Sequence, residues 1–158
     1  YIQDHNQDLY RRGMYVFIKR TVPPPSMLIF DASNRDQCEV QRGRTNTPLQ
    51  ALVMMNDPHV MESSRVLASH LSAEKGSLDV VLSKAFRKII CRKPSEKELI
   101  ILKRYFENEQ ASFKKEPNKI EKLMKIGEYK KDPGAIRFYT AALMQTIQLI
   151  YNMEEALI

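Results

Sequence analysis

The placement of its eight prolines constrains this 158-residue chain more than any other feature. Proline lacks an amide hydrogen and its ring collides with the preceding turn, so a helix can begin at a proline but not run through one. Pro23-Pro24-Pro25, Pro48, Pro58, Pro94, Pro117 and Pro133 therefore cut the chain into segments. Between the cuts, apolar residues recur at spacings of three and four. From Pro58 to about Lys75 the inward set is Val60, Ser64, Leu67, Ala68 and Leu71, and Gly76 provides a stop. Leu78, Val81, Leu82, Ala85, Phe86, Ile89 and Ile90 make the cleanest stripe; Leu99, Leu102, Phe106 and Phe113 make another, and Ile136, Tyr139, Leu143, Ile147 and Ile150 a last one. No segment sustains the period-two alternation of a half-buried strand. The pattern predicts an all-α fold, an irregular bundle of five to seven helices with little or no sheet.

Local start signals support these segments. Thr47, Pro48 and Gln50 place a capping hydroxyl, a proline in the first helical position and a reciprocal acceptor three residues after the cap. Asp57 with Pro58 repeats the device, Ser77 opens the next helix, and Ser95 with Glu98 forms a capping box. A shorter helix is expected over Asn118–Ile126, stopped by Gly127, and the turn Asp132-Pro133-Gly134 opens a final helix from Ala135 to about Tyr151. At the other end, Tyr10, Met14, Phe17 and Ile18 share a helical face, which predicts a helix over Asp8–Arg20 ended by the proline triplet. On that reading the aromatic stripe, Tyr10, Tyr15 and Phe17, belongs to the core, although such rings could also stack on a sugar or a base. Residues 21–46 read as a long ordered loop, anchored by the apolar island Met27-Leu28-Ile29-Phe30.

With 43% hydrophobic residues, a chain of this length can form a core without staples and suggests one domain over residues 1–158. No apolar run reaches the roughly 20 residues that span a bilayer. The start at Tyr1 already reads as ordered sequence, so any export signal is expected upstream. Cys38 and Cys91 lack the spacing of a haem-attachment or zinc motif. They read as two separate thiols, Cys91 at the end of an apolar helix, though a single bridge is chemically open. His59 and Glu62 could share a helix face but lack a third ligand, so no metal site is expected. No nucleophile–base pattern occurs, and the adjacent Glu154 and Glu155 diverge on a helix, so no catalytic residue is assigned and the chain alone reads as non-enzymatic.

The charge balance, 25 basic against 19 acidic residues, is a net +6 interleaved with glutamate. It fits a mixed helical surface better than a nucleic-acid footprint. The most distinctive polar set is Arg11, Arg12, Lys19, Arg20, Arg35, Arg42, Arg44 and Asn46, on or beside the long loop. Guanidinium forks recognise carboxylate, sulfate or phosphate, and the start of the helix at Pro48 would add a positive pole. Arg11, Arg12, Arg42, Arg44 and Asn46 are thus candidate anion-binding residues. The plainer reading has the arginines lock the loop to Asp31, Asp36 and backbone carbonyls.

Three runs carry a family resemblance: DLYRRGMY at 8–15, KRTVPPPSM at 19–27 and RGRTNTPLQAL at 42–52. FDA at 30–32, RDQC at 35–38 and NDP at 56–58 fit between and after them. Together they resemble the domain of unknown function 1553, found at the C-terminus of planctomycete-type multidomain proteins. Later helices are similar in pattern, including CRKPSEKE at 91–98 and YNMEE at 151–155. Gly13 departs from the family's usual Ser, and Asn6-Gln7 from its usual Gly-Glu. The resemblance implies the C-terminal part of a larger family domain whose N-terminal helices precede Tyr1. It also implies export to the periplasm or cell surface and neighbouring domains that often include a cytochrome c-like one, so haem is expected upstream and no cofactor in this chain. The function expected first is a scaffold that docks on those upstream domains. An acidic or sulfated glycan site is the second expectation and nucleic-acid binding a third.

Overall fold

The computed structural model describes residues 2, 4–19, 21–33, 38, 40, 41, 43–74, 76–130 and 137–157. Among them lie eight α-helices and no strand, so the fold is all-α, as the proline punctuation predicts. The helices are α1 (Pro25–Ile29), α2 (Pro48–Asn56), α3 (Pro58–Ala73), α4 (Leu78–Ile90), α5 (Glu96–Lys115), α6 (Pro117–Met124), α7 (Arg137–Tyr151) and α8 (Glu154–Leu157). Six of them are eight residues or longer; α1 and α8 are single turns or little more. Contacts divide the chain into two compact units, residues 1–51 and 52–157, each described by itself.

The second unit is built around α7. Ala141, Ala142, Leu143, Met144, Ile147 and Ile150 are fully buried, and so are the polar Thr140 and Thr146. A helix buried on nearly every side is a central helix rather than a surface one. The predicted stripe of Tyr139, Leu143, Ile147 and Ile150 is therefore only part of its contact surface; Ile136 and the 132–134 turn lie outside the described residues. The neighbours of α7 are α3 and α5 above all, then α4 and α6. Alanines at 141 and 142 let a neighbouring backbone come close, and Phe106 of α5 meets Tyr139 edge to face at 5.1 Å. The buried hydroxyls find partners: Thr146 Oγ1 donates to Ala142 O at 2.9 Å within α7, and Thr140 Oγ1 lies 3.2 Å from Ser72 Oγ of α3.

The capping signals at Asp57 and Ser95 form as side-chain bonds. Asp57 accepts from the amides of His59 and Val60 at 2.8 and 3.3 Å, and Ser95 and Glu98 close a reciprocal box at the start of α5. Ser77 sits at the N-cap of α4 without a side-chain bond. Cys91 ends α4 in the left-handed region, φ 63°, as a free and exposed thiol.

A buried ion pair fastens α3 to the segment after α6. Arg65 and Glu62 are one turn apart on α3, with side chains only 2% and 5% exposed. Arg65 Nε donates to Ile126 O at 3.0 Å and Nη2 to Tyr129 O at 2.9 Å, while Glu62 accepts from the Tyr129 amide. The pair thus satisfies the Ile126 and Tyr129 carbonyls and the Tyr129 amide where no helix does. Glu62 is buried against this segment, while His59 on the same helix is exposed. Gly127 completes the fit: its φ is +85°, and a Cβ there would stand 2.3 Å from Glu62 Cδ.

A second staple lies on the surface. Arg92 grips Glu98 through two bonds of 2.7 and 3.0 Å, grips Glu155 through two of 2.8 and 2.9 Å, and its guanidinium stacks 4.9 Å from the Phe86 ring centre. It joins the α4–α5 turn to α8. The Arg92 bonds, with those from Ser95, hold the Glu98 carboxyl down at about 2, against an ordinary 4.5, and Glu155 is lowered by the same guanidinium.

Two outcomes follow. Gly127→Ala should destabilise the chain by more than about 2 kcal/mol in a denaturant melt, from left-handed strain and the displaced Glu62, whereas Gly43→Ala, with open space around it, should stay within about 0.5 kcal/mol. Because the Glu98 and Glu155 carboxyls are depressed in the folded chain, their contribution is present above pH 4.5 and is lost as pH falls through their folded values, that of Glu98 being about 2. The urea midpoint of Arg92→Gln should therefore lie below the parent's at pH 7 and converge with it by the acid end of that window.

Candidate functional site

The first unit departs most from the sequence expectation. The helix predicted over Asp8–Arg20 is absent; Asn6–Tyr10 and Gly13–Tyr15 form two separate 3-10 turns, with Arg11, Arg12 and Val16 extended between and after them. Gly13 at the centre of the segment weakens a continuous helix, and the β-branched Val16 and Ile18 weaken it further. With the helix gone, its apolar face does not turn inward. Tyr10, Met14, Tyr15 and Phe17 are all exposed, Phe17 by 75%, so the aromatic stripe is not core.

The long loop also gains a helix. Pro24 and Pro25 supply preset backbone angles, and Pro24 O accepts from the amides of Met27 and Leu28, which starts α1 within residues 21–46. Asp31 then takes the left-handed conformation, φ 53°, and reverses the chain. Its carboxylate accepts from Thr45 N at 2.8 Å and Thr45 Oγ1 at 2.6 Å. Gln50, 2% exposed, donates to Ile29 O at 2.8 Å and to Thr45 Oγ1 at 3.1 Å while accepting from Thr47 N at 2.9 Å. One glutamine thus closes the start of α2 and binds both ends of the loop. The polar clasp is Asp31, Thr45 and Gln50; of these the sequence singled out Asp31 as a loop partner for arginines and Gln50 as a capping residue only.

Between the 3-10 turns and α1 lies an apolar groove of about 560 Å³. Gly13, Met14, Val16 and Ile18 form one wall, and Pro24, Met27 and Phe30 the other. A Cβ on Gly13 would reach Met27 Cε at 3.4 Å, so the glycine lets the two walls approach. Met14, 61% exposed, stands at the lip. Large exposed apolar side chains clustered on one unit mark interaction surfaces.

The candidate anion residues are dispersed in role. Arg11 pairs with Asp8 at 2.5 Å, and Arg12 lies over the Tyr15 ring at 5.9 Å. Arg44 and Asn46 are exposed on the segment held by the clasp. Arg42, like Arg20, Arg35 and Asp36, lies outside the described residues. The start of α2 offers little to an anion: Pro48 has no N–H, and the Gln50 amide donates to Thr47 Oγ1 at 3.3 Å. Among the described residues no three His, Cys, Asp or Glu side chains converge as metal ligands. No helix of the described residues is long and apolar enough to cross a membrane.

Gln50→Ala should cost about 2 kcal/mol in a denaturant melt, from the lost cap and the orphaned Ile29 carbonyl. Hydrogen exchange should accelerate at the Thr45 and Thr47 amides.

A family model described as "PSD1: Protein of unknown function (DUF1553)" matches residues 1–106, which take in the groove, the clasp and α2–α4. No curated protein and no solved structure shows significant similarity to the chain.

Proposed function

We propose, from the premise that this chain belongs to the PSD1 family of unknown function (DUF1553), that it is a non-catalytic docking module of an exported multidomain protein. Its groove-bearing unit seats against another folded segment of the same polypeptide. The observation that carries this reading is the exposed apolar set of residues 10–30: Tyr10, Met14, Tyr15, Phe17, Val22 and Leu28 flank a groove that is itself apolar. Holding so many large apolar side chains in water forgoes about 1.5–3 kcal/mol for each, a cost that contact with a partner removes. The same segment also exposes charges of both signs, Arg11, Arg12 and Lys19 with Asp4 and Asp8, as suits an interface whose centre is apolar and whose edge is polar. Export, the neighbouring domains and any haem they hold belong to this proposal through the family resemblance.

The test is hydrogen exchange on the 158-residue chain and on the polypeptide that carries its neighbouring domains. Amides of residues 10–32 should be protected about tenfold or more by the neighbours, an effect of at least about 1.4 kcal/mol. Met14→Ser with Phe17→Ser should abolish that protection without lowering the melting point of the 158-residue chain. Equal exchange in both contexts would remove the docking reading.

A further inference from the structure

The second unit holds a cleft that the docking reading does not use. Val80, Ser83, Lys84 and Arg87 recur at spacings of three and four along the outer face of α4. Beyond them α4 ends at Cys91, whose left-handed backbone turns the chain sharply. The turn brings Lys93 and Pro94 back to face the same side of the helix, and the open cleft so formed has a volume of about 400 Å³. That lies within the range of pockets that hold small ligands.

The charges in this cleft are unequal in availability. Lys84 is already paired with Glu74, and Asp79 with Lys103 at 2.5 Å. Arg87 and Lys93 make no ion pair among the described residues. Two cations are thus left lining one cleft with Ser83, and Val80 and Pro94 supply its apolar lining. Arg87 in the last turn of α4 also meets the negative end of the helix, which accounts for one cation but not for Lys93 beyond the cap. A guanidinium fork, an ammonium and a hydroxyl with an apolar lining match a doubly charged oxyanion borne on an apolar group.

We propose that this cleft binds a small phosphate monoester, with Arg87 and Lys93 on the phosphate oxygens, Ser83 as a further donor, and the organic part on Val80 and Pro94. The site is separate from the groove of the first unit and stands or falls without it.

Phenyl phosphate is a suitable probe, followed by amide chemical shifts on the full 158-residue chain at constant ionic strength. The expected result is a saturable shift confined to residues 80–94. Arg87→Gln with Lys93→Gln should weaken binding about tenfold or more at an unchanged melting midpoint. Arg104→Gln, which removes one charge from α5 outside the cleft, should leave it unaltered. Inorganic phosphate should bind the same residues more weakly, because it leaves the apolar lining uncovered. Shifts spread over the whole chain, or reproduced by sodium chloride, would overturn the proposal. So would a double variant that binds as the parent does. A short single-stranded oligonucleotide that displaces phenyl phosphate and loses no more affinity in the double variant than in Arg104→Gln would assign the charge to a diffuse backbone footprint instead.

Discussion

The second unit depends on a guanidinium that has no access to water. Arg65 is buried on α3, and a buried charge is tolerated only when its hydrogen-bonding capacity and its charge are both met. Glu62 meets the charge, and the carbonyls of Ile126 and Tyr129 meet the donors. The carbonyls in turn need Arg65, since residues 126–130 form no helix that would satisfy them. Each side of this contact would be costly alone, which makes it specific: α3 accepts one path of the chain after α6 and rejects others. Gly127 is the condition for that path, because only a residue without Cβ leaves room for the Glu62 carboxylate.

The first unit is organised differently. It has few fully buried apolar side chains and relies on a small polar clasp in which Gln50 is the shared member. Its apolar residues remain at the surface or line the groove. One unit therefore has its hydrophobic material inside, around α7, and the other presents much of it outward. This contrast, rather than any catalytic geometry, is what the docking proposal rests on.

What could be read from sequence was local. Thr47 with Gln50, Asp57 with Pro58, and Ser95 with Glu98 act over three residues, and each forms the cap its spacing implied. The stripes of α4 and α5 also face the core, since an amphipathic pattern needs only one partner to fix its inward side. The Asp8–Arg20 helix was misleading because aromatic spacing matched a helical face while Gly13 and its neighbours could not sustain the backbone. Arg65 and Glu62 were invisible for a different reason: an i, i+3 charge pair on a helix reads as a surface pair, and only the distant 126–130 segment makes it interior. Arg92 joins two stretches, 91–98 and 151–155, that looked like separate signatures, and no local rule links them. The candidate arginines of the first unit were read from their place on or beside the long loop, which carries no information on which cations find partners.

The centrality of α7 has a consequence for how the chain acquires its structure. The helices α3, α4, α5 and α6 all precede α7, and the core they share is completed by it. As synthesis proceeds, the amphipathic faces of the earlier helices emerge before the surface that covers them. They either cluster loosely or wait, exposed, until residues 137–151 leave the ribosome. The contact between α3 and α7 closes a long stretch of chain, which slows folding relative to a bundle of sequential neighbours. Until α7 is made, such a chain presents the apolar faces that holding chaperones recognise.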